Sequence, residues 1–245
     1  MNFLELKDIS ERYIELINPF STEKIMQIGQ VLGLSPSDHL IDFGCGYGEW
    51  LCQWGEEFGI SGLGIELRQQ ACERAKNKIQ MKGLGERIEI ICGDASELTI
   101  PEGAYTVACC VGASFIWGGF LPAVRAMKKA LRPGGRLVIG EVYWKRSDVP
   151  QEVKEKENIF HEVDLLKMSR ETGFDVEYAI RASQDDWDHY EAENWRGLIA
   201  WLKENHDHPD RDHVVEHLKQ SQDEYFLYGR EHFGWAVYVL HPVFT

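Results

Sequence analysis

Long apolar runs are missing: no stretch of the 245 residues approaches the roughly 20 apolar residues of a membrane span. Residues 1 to 10 carry acids and no apolar core of a leader peptide, so a cytoplasmic location without membrane attachment is expected. Basic residues are scarce, 26 Lys and Arg against 40 Asp and Glu, for a formal net charge of -14. That field repels phosphate backbones and anionic bilayers, which argues against nucleic acid and membrane partners and favours a neutral or cationic small molecule. CxxC spacing is absent among Cys45, Cys52, Cys72, Cys92, Cys109 and Cys110, which fall mostly in apolar or strand-like runs and read as reduced, buried thiols. The histidines His206, His208, His213 and His217 lack an H-E-x-x-H arrangement and stand among acids, so they read as a solvated helix face and no metal is expected. Internal repeats and low-complexity tracts are lacking too.

What is present is ordinary globular chemistry, 44% hydrophobic and 27% charged, which excludes disorder as the main state. From about residue 38, short apolar runs alternate with helix-periodic stretches, the pattern of βαβ units and a parallel sheet. Strands are expected at His39–Phe43, Gly62–Leu67, Arg87–Cys92, Tyr105–Val111, Arg136–Tyr143, Phe174–Arg181 and Phe233–Leu240. Helices fit Ser21–Leu32, Gly48–Phe58, Gln69–Lys82 and Phe120–Leu131, the last ended by Arg132-Pro133-Gly134-Gly135. The span from Asp185 to Glu231 is too long for a loop and reads as a helical cap inserted between strands 6 and 7. The expectation is one α/β domain over 1–245, with a seven-stranded, mostly parallel Rossmann-like sheet, an antiparallel last strand and helices on both faces. Its parts are an N-terminal helical segment or lid (1–37), a ligand-binding core (38–143), a helix and strand 6 (144–183), the cap (184–231) and the last strand (232–245).

The strongest local signal is Leu40-Ile-Asp42-Phe-Gly44-Cys45-Gly46-Tyr-Gly48, a strand running into a glycine-rich turn that opens a helix. Glycines there let the backbone approach a ligand, and the helix start offers unpaired N–H donors. The second strand ends in Glu66, about twenty residues on, where a carboxylate can accept both hydroxyls of a ribose. The third ends in Gly93-Asp94-Ala95, a second acid at the same sheet edge. These residues, with Leu131-Arg-Pro-Gly-Gly135, resemble the class I S-adenosylmethionine-dependent methyltransferases. Further stretches, Asn18-Pro19-Phe20, Val111 to Phe120, Gly140 to Trp144, Trp187 to Glu191 and Phe233 to Trp235, resemble a little-characterised group of bacterial small-molecule methyltransferases.

The resemblance implies S-adenosyl-L-methionine as cofactor, S-adenosyl-L-homocysteine as product and a binding site of Asp42, Gly44, Cys45, Gly46, Gly48, Glu66, Leu67, Asp94, Ala95 and Val111. A nicotinamide oxidoreductase is the first alternative, but its G-x-G-x-x-G fingerprint needs glycine where Glu49 stands. The second alternative is a non-catalytic cofactor- or partner-binding protein, marked by an acceptor cavity closed by bulky aromatics. For the acceptor, the candidates are Tyr13, Trp117, Tyr143, Trp144, Trp187 and Tyr190, whose faces suit a flat apolar molecule or a cationic amine. Trp187, Tyr190 and Glu191 share one helix face by spacing. Glu141, at the carboxyl end of strand five, is the first candidate base, with His189 and His161 behind it. The segment Cys109-Cys110-Val111-Gly112 lacks the Asn/Asp-Pro-Pro-Tyr tetrad resembling that of enzymes methylating DNA or protein amides.

Overall fold

Caps and glycines decide where the helices begin and end. In the computed structural model, which describes residues 1–156 and 159–244, Asn2 opens α1 (Phe3–Ser10) through a reciprocal cap: its side chain accepts from the Glu5 amide and its own amide donates to the Glu5 carboxylate. Ser21 caps α2 (Thr22–Leu32), which ends at left-handed Gly33 and buries Ile25, Ile28 and Leu32, with Val31 half-buried. The chain continues β1 (His39–Phe43), α3 (Glu49–Phe58), β2 (Ser61–Glu66), α4 (Gln69–Met81), β3 (Ile88–Cys92), β4 (Tyr105–Val111), α5 (Phe120–Ala130) and β5 (Leu131–Trp144). After α6 (Gln151–Lys156), α7 (Glu162–Glu171) and β6 (Phe174–Arg181), the expected cap forms as α8 (Gln184–Glu204) and α9 (Arg211–Glu224), and β7 (Phe233–Pro242) closes the chain.

The seven strands order as β3-β2-β1-β4-β5-β7-β6, with β7 antiparallel to both neighbours. The order reverses between β1 and β4, opening a crevice above their carboxyl ends, where ligands of open α/β sheets bind. Strand pleating sends alternate side chains to two apolar layers. Val138, Trp235, Val237 and Val239 meet Ile25, Leu51, Trp54 and Trp187 on one face, while Ile139, Tyr143, Ala236 and Tyr238 meet Val124, Met127 and Leu165 of α5 and α7 on the other. Among the described residues no helix is long and apolar enough to cross a membrane.

Two readings of the sequence are corrected. Arg132-Pro133-Gly134-Gly135 does not separate α5 from its strand: Leu131 already pairs with Tyr105, and pairing resumes with Arg136 opposite Val107. The four residues therefore bulge out of β5 against the single Thr106, which proline's missing N–H and left-handed Gly134 permit. The cysteines are also not all free. Cys72 of α4 and Cys92 of β3 pair as a disulfide, Cα atoms 5.9 Å apart, because α4 lays its first turn over the end of the neighbouring strand. Cys45, Cys52, Cys109 and Cys110 are free and buried.

Candidate functional site

The β1 chain leaves the sheet through a turn in which Gly44, Gly46 and Gly48 all have positive φ. The Gly44 and Cys45 amides both donate to the Ile65 carbonyl, at 2.8 and 2.9 Å, which draws the turn down onto β2. A side chain at Gly44 would stand 2.5 Å from Ala113, and one at Gly46 2.8 Å from Ile17, so the turn is open only while both stay glycine. Gly48 lies apart from the cavity: it opens α3 in the left-handed conformation, and a side chain there would stand 3.3 Å from Ala75.

Glu66 ends β2 with its carboxylate wired to the protein. Oε2 accepts from the Gly46 amide at 3.0 Å and Oε1 from the Arg68 amide at 2.9 Å. A carboxylate has about four acceptor positions, so two remain for a ligand. The Arg68 guanidinium sits 2.8 Å from Glu11, 3.2 Å from Asp8 and 3.4 Å from Glu66, joining α1 to the β2 edge. Burial, and then the neighbouring Glu66 charge, push the Asp42 carboxyl up to about 7. Asp94 accepts from the Ser96 hydroxyl and amide at 2.6 and 2.8 Å, and those bonds lower its pKa.

Above these strands lies a cavity of about 630 Å³. It reaches Asp42, Gly44, Cys45, Gly46, Glu66, Leu67, Asp94, Ala95 and Val111, nine of the ten residues expected to hold a cofactor. It then continues over Val142 and Trp235 to Trp187 and Tyr190 beneath the cap. Trp50, Trp187 and Trp235 line it with buried indole N–H groups that lack a protein partner among the described residues.

Other acceptor candidates are not in this wall. Trp117 packs edge-on against Phe43 at 5.2 Å, Trp144 against Phe233 at 5.2 Å, and Tyr143 fills the space beside Gly234 on the far sheet face. Tyr13 is exposed and lies under the Arg196 guanidinium at 4.5 Å, where it pins the N-terminal segment to α8. His189 is exposed on α8, and His161 bonds the Trp144 carbonyl through Nδ1 at 3.2 Å. Glu141 is displaced by one step of the pleat: Val142 faces the cavity, whereas Glu141 turns toward Ser114, and burial raises its pKa. Among the described residues no three His, Cys, Asp or Glu side chains gather as metal ligands.

Several cavity residues were not among the expected site residues, although Asn18 and Glu191 stood in stretches that the sequence singled out. Lys7, Glu11, Ile17 and Asn18 come from the N-terminal segment, and Glu191 and Glu224 from the cap. The Lys7 and Glu11 pair, 3.4 Å apart, has the i,i+4 spacing of an ordinary surface ion pair. Asn18 reaches across to donate to the Val111 carbonyl at 3.3 Å.

Residues 40–135 match the family described as "Methyltransferase domain". The chain is 34% identical over 249 residues to YjhP of Escherichia coli K12, covering 98% of this chain and 99% of that protein. Over 115 residues it is 27% identical to the 27-O-demethylrifamycin SV methyltransferase of Amycolatopsis mediterranei, covering 47% of this chain and 42% of that enzyme. In three dimensions it is similar to a crystal structure of a SAM-dependent methyltransferase from Geobacter sulfurreducens in complex with S-adenosyl-L-homocysteine. That similarity has a TM-score of 0.91 at 33% identity and covers 98% of each chain.

Proposed function

The chain belongs to the class I S-adenosylmethionine-dependent methyltransferases, and from that premise we propose that it transfers a methyl group to a small-molecule acceptor bound beneath α8. The observation that carries this reading is the single cavity running from Glu66 and Asp94 to Trp187 and Tyr190. Its two ends suit two ligands, and its open volume argues against a binding-only protein with an acceptor end filled by aromatics. The net charge of -14 disfavours a nucleic acid as acceptor. Glu49, where a dinucleotide fingerprint needs glycine, is buried and bonded to Lys78, which disfavours the oxidoreductase.

The residues present fit S-adenosylmethionine. The glycine turn leaves a cradle that side chains at 44 or 46 would fill, Glu66 keeps acceptor positions for ribose hydroxyls, and Asp94 with Ala95 lies toward the adenine side. When bound, the cofactor supplies a methyl group already activated on a sulfonium. The protein's remaining tasks are alignment for an in-line displacement and exclusion of water. The aromatic wall and α1 close the chamber on the acceptor side. Glu66 and Arg68 fix the turn to which α1, bearing Lys7, is tied through Asp8 and through Glu11 just beyond the helix.

Calorimetric titration with S-adenosylmethionine, S-adenosylhomocysteine and NADH, repeated with Glu66→Ala, tests this reading. Binding of the two adenosyl ligands alone, weakened in the variant, is expected. Binding of NADH alone, or of none of the three, overturns it.

A further inference from the structure

The cofactor half of the cavity uses Glu66 and Asp94, yet two carboxylates, Glu191 of α8 and Glu224 of α9, line the other half without a place in that scheme. Glu191 stands one turn beyond Trp187, beside Tyr190, and the Trp187 and Tyr190 rings meet edge-to-face at 6.3 Å. Trp235 of β7 lines the same end. The charged and titratable groups around Glu191 are Lys7 of α1, Tyr190 on its own helix, Glu224 of α9 and Tyr225 directly after α9, with Glu11, just beyond α1, next to Lys7. Lys7 is the cation among them; it pairs with Glu11 at 3.4 Å and also acts on Glu191, so one ammonium is set against the carboxylates of Glu11, Glu191 and Glu224. The acceptor end therefore offers an aromatic wall and an excess of carboxylate, a setting that stabilises an ammonium ion.

Resting on the methyltransferase reading above, we infer that the acceptor is a small amine and that Glu191 takes the proton which its ammonium form must lose before methylation. An ammonium nitrogen has no lone pair to attack with. Proton transfer to Glu191 gives the neutral amine and a carboxylic acid. The nitrogen lone pair then forms the new N–C bond while the C–S bond breaks and its electron pair stays on sulfur. The methylated product leaves as an ammonium ion, and Glu191 returns its proton to solvent. Burial first, opposed by Lys7 and aided by Glu224, raises the Glu191 carboxyl to about 7, where it is matched to proton exchange near neutral pH.

The test uses the full chain with 2-phenylethylamine and with its isosteres 2-phenylethanol and phenylacetate, for wild type, Glu191→Gln and Glu191→Asp. Two quantities are read: methyl transfer from labelled S-adenosylmethionine across pH, and calorimetric binding of the amine to the S-adenosylhomocysteine complex. Supporting results are methylation of the amine alone and a kcat/KM that rises with pH about a midpoint near 7. In Glu191→Gln the rising limb should vanish, activity should fall by about 100-fold or more, and amine binding should weaken, while S-adenosylhomocysteine affinity holds and Glu191→Asp recovers part of the rate. Methylation of the alcohol or the carboxylate in place of the amine overturns the inference and leaves the methyltransferase reading standing. So does a Glu191→Gln variant that keeps both the pH limb and amine binding, or cofactor binding with neither binding nor methylation of the amine. Failure of wild type to bind S-adenosylhomocysteine overturns both.

Discussion

Gly197, in the middle of α8, is buried against the backbone of α1. A methyl group added there would lie 2.3 Å from the Ser10 carbonyl oxygen, 2.7 Å from that of Ile9 and 2.9 Å from the Ser10 carbonyl carbon. These are backbone atoms and cannot rotate aside. In a helix free of neighbours, Gly→Ala stabilises by about 1 kcal/mol. Overpacking costs about 1–3 kcal/mol, and contacts this short belong at the upper end, so Gly197→Ala should destabilise by about 2 kcal/mol net. If α1 is held less firmly than that, it will detach instead of straining the whole chain. Its attachment rests on Leu6 packed with Leu198, Leu202 and Val214, and on the ion pairs of Asp8 and Glu11 with Arg68. Urea unfolding measures the first outcome, and hydrogen exchange in residues 3–10 the second. Either way, S-adenosylhomocysteine should bind more weakly, because α1 carries Lys7, and Glu11 directly after it, to the cavity. A variant about 1 kcal/mol more stable than wild type, with α1 still protected, would refute this account of the interface.

Glu66→Gln keeps the shape but removes the charge that faces the Gly46 and Arg68 amides, and should weaken S-adenosylhomocysteine binding by about 10- to 150-fold, read by calorimetry. Arg68→Ala strands the buried Glu11 and Glu66 carboxylates and should lower stability by about 3–5 kcal/mol in urea unfolding, with Arg68→Lys restoring only part. Asp42, with its folded pKa raised from 3.8 to about 7, works against the fold as pH rises. Below about pH 4 both states hold its proton, and from about pH 4 to about pH 7 only the folded state does, so wild type should lose about 4 kcal/mol across that window relative to Asp42→Asn. Urea midpoints of the two proteins at the two ends of the window measure that difference.

The alternation of strands and helices was legible because it rests on local signals: hydrophobic period, the Ser21 cap, and glycines where left-handed backbone is required. The β1 turn, Glu66 and Asp94 could be placed at the cavity's edge for the same reason, since each sits at a fixed place relative to a strand end. Glu141 shows the limit of that logic. β5 is covered on both faces, so its residues show no polar and apolar alternation to say which side looks into the cavity. Trp117, Tyr143 and Trp144, which lie outside the cavity wall, reflect a related ambiguity, because aromatic side chains fill cores as readily as pockets. The Lys7, Glu11 and Arg68 cluster and the Cys72–Cys92 pair depend on contacts between separate elements, which spacing along the chain does not report. Glu191 did leave a trace, a carboxylate on the helix face of Trp187 and Tyr190, but only the packing of α1 and α9 around it distinguishes that residue from a solvated acid.

The cavity draws its two ends from different lengths of polypeptide. Asp42 through Ile116 supply the β1 to β4 edge, Val142 and Ile159 stand between, and the opposite wall comes from the first nineteen residues and from Trp187 to Trp235. Such a division lets the two ends evolve at different speeds. Drift or insertion in the cap can reshape what the protein recognises without touching the contiguous run that carries the glycine turn, Glu66 and Asp94.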